Sequence, residues 1–143
     1  MEEIKNILLS GRHSLVLRNG GVFTFDGRGI ADLRQLLATQ PQLLRGAEVA
    51  DKVVGKAAAA LMIKGGVRAL HACMVSRQAL DLLKTSTVEV TFDTEVPHIE
   101  NRDRSGWCPM EEACLPCSTA DECIERIEEK LKSMKIKAES GNN

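Results

Sequence analysis

Aromatic side chains are nearly missing from this sequence of 143 residues, which has three Phe, one Trp and no Tyr. Proteins that bind single-stranded nucleic acid stack bases on aromatic platforms, and Phe23, Phe25, Phe92 and Trp107 are too few to build one. A basic excess is missing as well. The 19 Lys and Arg against 20 Asp and Glu leave a net charge of -1, without the positive footprint of a duplex binder. There is no long hydrophobic run either. The longest wholly apolar stretch, residues 57–63, lies between Lys56 and Lys64 and is far too short to span a bilayer. The amino terminus opens with Glu2, Glu3 and Lys5, which is not a signal-peptide pattern. These absences predict a soluble cytoplasmic protein with neither nucleic acid nor membrane as partner. What the chain does have is enough apolar content, 43%, for the core of one domain. It also has five Cys, four of them between Cys108 and Cys123. In a reducing compartment such thiols are expected to be reduced, metal-bound or redox-active.

Periodicity predicts the elements. Leu15/Leu17 and Phe23/Phe25 alternate on either side of Asn19-Gly20-Gly21, a hairpin signal because both central residues must accept positive φ. Strands are therefore expected over residues 14–18 and 22–26. A short helix is expected over residues 1–9. A second carries Ile30, Leu33, Leu36 and Leu37 and ends at Pro41. From Val49 the stripe Val49, Val53, Val54, Ala57, Ala58 and Leu61 reads as a helix stopped by Gly65-Gly66. Residues 69–75 read as a strand covered on both faces. Ser76 caps a helix over residues 77–84, and Val88, Val90 and Phe92 mark the next strand. Two strands joined by a helix require a right-handed parallel crossover, so the predicted class is α/β, a three-layer α/β/α mixed sheet. Residues 94–106 read as a long loop of the kind that carries function. Thr119-Ala120-Asp121-Glu122 is a capping box opening a charged helix with Ile124, Ile127, Leu131 and Met134 on one face, ending near Ile136 before a frayed tail over residues 138–143.

Two stretches carry a family resemblance. Val49-Ala50-Asp51-Lys52-Val53-Val54-Gly55-Lys56-Ala57-Ala58 resembles the signature helix of a small microbial family. Val96-Pro97, then Asn101-Arg102-Asp103, then Gly106-Trp107-Cys108-Pro109-Met110-Glu111 resemble its second motif. The resemblance spans residues 15–112. It implies a cytidine-deaminase-like fold over residues 1–112, with residues 113–143 an added Cys-containing loop and C-terminal helix. It also implies the self-association, as a homodimer, that deaminase-like domains often show. Zinc deaminases need a His or Cys two residues before a Glu at one helix start and Pro-Cys-x-x-Cys at the next. Val49 to Val53 and Ser76 to Ala79 offer neither, so the chain is not expected to be a zinc nucleobase deaminase.

Three groups of residues remain as candidates. Lys52 and Lys56, four apart, together with Asp51 and the free amides of a helix start would bind an anion; the plain alternative is two solvated lysines and an N-cap. Asn101, Arg102 and Asp103 in the long loop would complete a site for a small anionic or nucleotide-like ligand between helix 51–64 and loop 101–108, or they simply form turns. Cys108 beside Arg102 and Arg104 is a candidate nucleophile, with His71 or His98 as base, or else a small buried hydrophobe. His71 itself reads as a core histidine. The spacing Cys108-x5-Cys114-x2-Cys117-x5-Cys123 would let four thiolates hold Zn²⁺ or an iron–sulfur cluster, act as a redox dithiol, or remain unliganded. An interaction role for the C-terminal helix is the third alternative, set against ordinary packing of its apolar face.

Overall fold

Asn19-Gly20-Gly21 does turn the chain: β1 (Leu15–Arg18) lies antiparallel to β2 (Val22–Phe25), with Gly20 at φ 72°. The computed structural model describes the backbone of residues 1–101 and 103–141, and side chains as far as residue 135. On its other edge β1 pairs antiparallel with β3 (Glu48–Val54). From there β4 (Ala69–Ser76) and β5 (Glu89–Val96) add in parallel, giving a five-stranded mixed sheet in the order β2-β1-β3-β4-β5. The parallel connections run through α4 (Lys56–Gly65) and α5 (Arg77–Lys84).

The remaining helices are α1 (Glu2–Ser10), α2 (Ala31–Thr39), α3 (Pro41–Leu44), α6 (Pro109–Cys114) and α7 (Ala120–Gly141). Neighbouring strand residues point to opposite faces. Val16 and Ala50 accordingly pack with Ile4 and Leu8 of α1, while Leu15, Leu17, Val49, Leu70 and Ala72 enter the larger core with α2, α4, α5 and α7. Helices thus flank both faces of the sheet. Helix α4 is the central one, with Ala57, Ala58, Ala59, Ala60, Leu61 and Met62 all buried. A helix that is apolar all round has to be enclosed, and small alanines let its neighbours close in.

The main departure from expectation is at residues 48–54. Val49, Ala50, Asp51, Lys52, Val53 and Val54 form a strand, not the first turns of a helix. β-branched residues suit a pleated central strand, and burial on both faces hides the period-two signal. Helix α4 begins only at Lys56, after Gly55 in an extended conformation, and Gly66 at φ 79° closes it. Lys52 and Lys56 therefore lie on different elements. Smaller differences follow the same logic. Pro41 opens α3 at its first turn, where its missing N–H costs nothing. Strand β5 continues to Val96 because the ladder with β4 runs on to Ser76. Helix α7 reaches Gly141, since Lys137, Ala138 and Glu139 are good helix formers; Asn142 and Asn143 lie outside the described residues.

Candidate functional site

Where α4 and α5 begin, their first polar groups converge on one carboxylate. Glu111, from the first turn of α6, accepts a hydrogen bond from the Lys56 amide at 3.1 Å and from Ser76 Oγ at 2.7 Å. Ser76, the predicted cap, accepts in turn from the Ala79 amide at 3.1 Å. Only 1% of Glu111 is exposed, and burial raises its pKa against the pull of Ser76, the Lys56 amide and the nearby charges of Lys56 and His98. Gly55 makes room for it, because a Cβ there would collide with Glu111 Oε2 and press on Ile99. The Lys56 side chain is also buried, and its ammonium donates to the carbonyls of Leu115 and Cys117. The anion site predicted at this helix start is thus filled from within. The amide serves Glu111 and the ammonium serves two carbonyls.

The other predicted ligand residues also have structural partners. Asp51, on β3, is buried and accepts from the Val53 amide at 3.3 Å. Burial raises its pKa to about 7, helped by the charge of Asp32 and opposed by the amides of Val53 and Lys52. Lys52 is half-buried on the same strand, its amide bonded to Ser14 O at 3.1 Å. Asn101 and Asp103 build their own loop. Asn101 Oδ1 accepts from the Ser105 amide at 3.0 Å, and Asp103 Oδ1 accepts from that amide at 3.0 Å and from Ser105 Oγ at 2.6 Å. The hairpin so formed closes through Asn101 N to Gly106 O (2.9 Å) and Cys108 N to Ile99 O (2.8 Å), with Trp107 stacked on His98 at 4.4 Å. Arg102 lies outside the described residues. His71 is buried in β4, with Nδ1 2.7 Å from Thr91 Oγ1 and Nε2 facing Asp93 at 3.3 Å without hydrogen-bond geometry.

The cysteines divide. Cys108 is the half-buried N-cap of α6, while Cys114 ends that helix, about 9 Å further along by helical rise. Cys114, Cys117 and Cys123 are all buried, and Cys114 Sγ lies 3.7 Å from the carbonyl oxygen of Cys123. The predicted four-thiolate set is not assembled. Among the described residues no group of three or more His, Cys, Asp or Glu is arranged to hold a metal ion. Among them, too, no helix is long and apolar enough to cross a membrane. Ile127 of α7 is fully buried, and Ile124 and Leu131 pack on the same core, so most of that apolar face is spent inside the chain.

Beside Lys56, between α5 and the turn after α6, a cleft of about 280 Å³ opens to solvent. Its walls include Lys56, Gln78, Asp81, Leu82, Thr85 and Cys117. Gln78 lines it, and its Oε1 is buried with no hydrogen-bond partner among the described residues. A larger, more open groove of about 620 Å³ runs along α7 past Arg34, but Arg34 is already held by Glu128 through two 2.9 Å hydrogen bonds. The cleft at Gln78 is the better candidate because it holds an unmet polar need. Sequence reasoning missed both Gln78 and Glu111. Glu111 stood in a quoted motif, two residues after a helix-opening Pro, but nothing local signals a partner 55 residues away.

The sequence model of one family, described as TM1506, a domain of unknown function (DUF1893), matches residues 3–131. The chain belongs to the DUF1893 family. A crystal structure of a DUF1893 family protein (TM1506) from Thermotoga maritima is similar, with 27% identity and a TM-score of 0.82 over 90% of this chain and 88% of that one. No curated protein matches. The DUF1893 match runs past residue 112 into α7, as the packing of Ile127 into the shared core would require.

Proposed function

We propose that this DUF1893 protein binds a small nucleotide-like ligand, without zinc-deaminase chemistry, in the cleft beside Lys56. The single observation behind this reading is Gln78 Oε1, a buried acceptor with no donor in the cleft wall. Leaving such a group unpaired costs about 1–3 kcal/mol, which a ligand donor would recover once the Gln78 amide turns into the cleft. An ammonium has three protons, and Lys56 commits two to carbonyls, which leaves one for an acceptor on the ligand. A donor and an acceptor lining one cleft match the carbonyl and N–H of the imide edge of a pyrimidine base. Asp81 at the wall disfavours highly charged anions, so a nucleobase or nucleoside fits better than a polyphosphate. A volume of about 280 Å³ suits that size. Sheet order β2-β1-β3-β4-β5, with β1 antiparallel to its neighbours, supports a deaminase-like reading of the fold.

Thermal shift against nucleobases, nucleosides, nucleotides and small carboxylates tests the proposal. We expect stabilisation by a pyrimidine base or nucleoside, lost in Gln78→Leu and retained in Asp103→Ala. No shift with any compound, or a shift indifferent to Gln78, would remove the basis for the reading.

A further inference from the structure

The sheet ends in two outer strands of unequal length. β2 has four residues, whereas β5 has eight, six of them exposed, and no strand pairs with its far side. Proteins usually blunt such an edge with Lys, Pro, a bulge or a short strand. β5 contains neither Lys nor Pro, and its register with β4 is constant from Glu89 beside Ala69 to Val96 beside Ser76. The Glu89 amide turns inward, donating to Arg68 O at 2.9 Å. Peptide groups alternate in direction along a strand, so Val90 and Phe92 present theirs to the open side. After Val96 the chain does not fold back over the edge. Ile99 lies against Gly55, which follows β3, so the chain leaves β5 inward.

The two faces of this edge differ in chemistry. Thr91 and Asp93 share the face of His71, 2.7 and 3.3 Å from its ring nitrogens, and Glu89 falls on that face by alternation. Phe92 lies on the opposite face, next to Ala72 of the core, and is 42% exposed. The strand carries three carboxylates and no basic residue. Glu95 has Arg77 at 3.6 Å and Asp93 faces His71, while Glu89 has no ion pair among the described residues.

We propose that the edge of β5 takes up an extended peptide segment as a sixth strand, one in which Lys or Arg alternates with apolar residues. Main-chain pairing holds the segment. Its basic side chains fall on the face of Glu89 and Asp93, and its apolar ones cover Phe92. A second copy of the chain fits this edge less well. Antiparallel pairing centred on Phe92 sets Glu89 of each copy opposite Glu95 of the other, and like charges so placed repel. The edge shares no residue with the cleft at Gln78 and stands without the ligand reading.

A capped heptapeptide, Lys-Val-Lys-Val-Lys-Val-Lys, titrated into the ¹⁵N-labelled full-length protein tests this. The amides of Val90, Phe92 and Thr94 should shift, and those of Gln78 and Asp81 should not. Raising salt from about 0.05 to about 0.5 M should weaken binding about tenfold, because the ion pairs are exposed. The same peptide with Glu in place of every Lys should not bind, nor should one with Pro for its central Val. Glu89→Lys should weaken binding of the Lys peptide several-fold. Four results would overturn the proposal: no shifts, shifts at the cleft instead of β5, equal binding of the Lys and Glu peptides, or β5 shifts that appear when the protein alone is concentrated. The last would assign the edge to a second copy. The peptide changes stand on their own should the variant fold poorly.

Discussion

Asp51→Asn should make the protein more stable at alkaline pH and leave it nearly unchanged in acid. Asp51 is buried in β3, and its pKa is raised from an ordinary 3.8 to about 7, chiefly by loss of hydration. Between those two values the native carboxyl keeps its proton while the unfolded one has lost it. The native state therefore binds more protons, and stability falls as pH climbs from about 4 through about 7. Three pKa units correspond to about 4 kcal/mol, the full penalty once both states are ionised. Asparagine keeps an oxygen for the Val53 amide and carries no charge at any pH. Urea unfolding of parent and variant at about pH 4, 6 and 8 should give a stability difference near zero, then rising, then up to about 4 kcal/mol in favour of the variant. In melting temperature the alkaline gain is on the order of 10 °C. A gain of equal size at every pH, or a loss at pH 8, would refute the burial argument.

Other perturbations test the carboxylate that joins the two helix starts. Glu111→Ala should cost about 1–3 kcal/mol for each donor it orphans, the Lys56 amide and the Ser76 hydroxyl, read by chemical denaturation. Gly55→Ala should cost about 1–3 kcal/mol, because its Cβ meets Glu111 and Ile99; a neutral result would mean that Glu111 is free to move aside. Truncating Ile127 to Ala should cost about 2–5 kcal/mol if α7 is part of the core, and only tenths if it is an appended helix.

How legible this was depended on sequence distance. The hairpin could be read because Asn19-Gly20-Gly21 specifies its own turn, and both helix caps because donor and acceptor lie three residues apart: Ser76 with Ala79, Thr119 with Glu122. Residues 48–54 were illegible for the opposite reason. In a strand buried on both faces the apolar positions lose their period of two, and Val49, Val53, Val54 and Ala57 fall by chance on a helical stripe that Gly55 in fact interrupts. That single misreading placed Lys52 and Lys56 on one face and created an anion site. The true neighbours of Lys56 are Glu111, Leu115 and Cys117, more than 50 residues away. Gln78 lies in the first turn of α5, where its amide looks like any exposed helical side chain. Its buried, unpaired oxygen, and the cleft it shares with the turn after α6, exist only in the folded chain.

The ligand reading rests on that oxygen, and backbone amide NMR tests it most directly. Titrating uridine into the ¹⁵N-labelled protein should shift the amides of Gln78, Asp81, Leu115, Cys117 and Ser118, and the same titration of Gln78→Leu should shift none of them. Shifts confined to residues 101–108, or identical shifts in the parent and in Gln78→Leu, would contradict a site at the cleft.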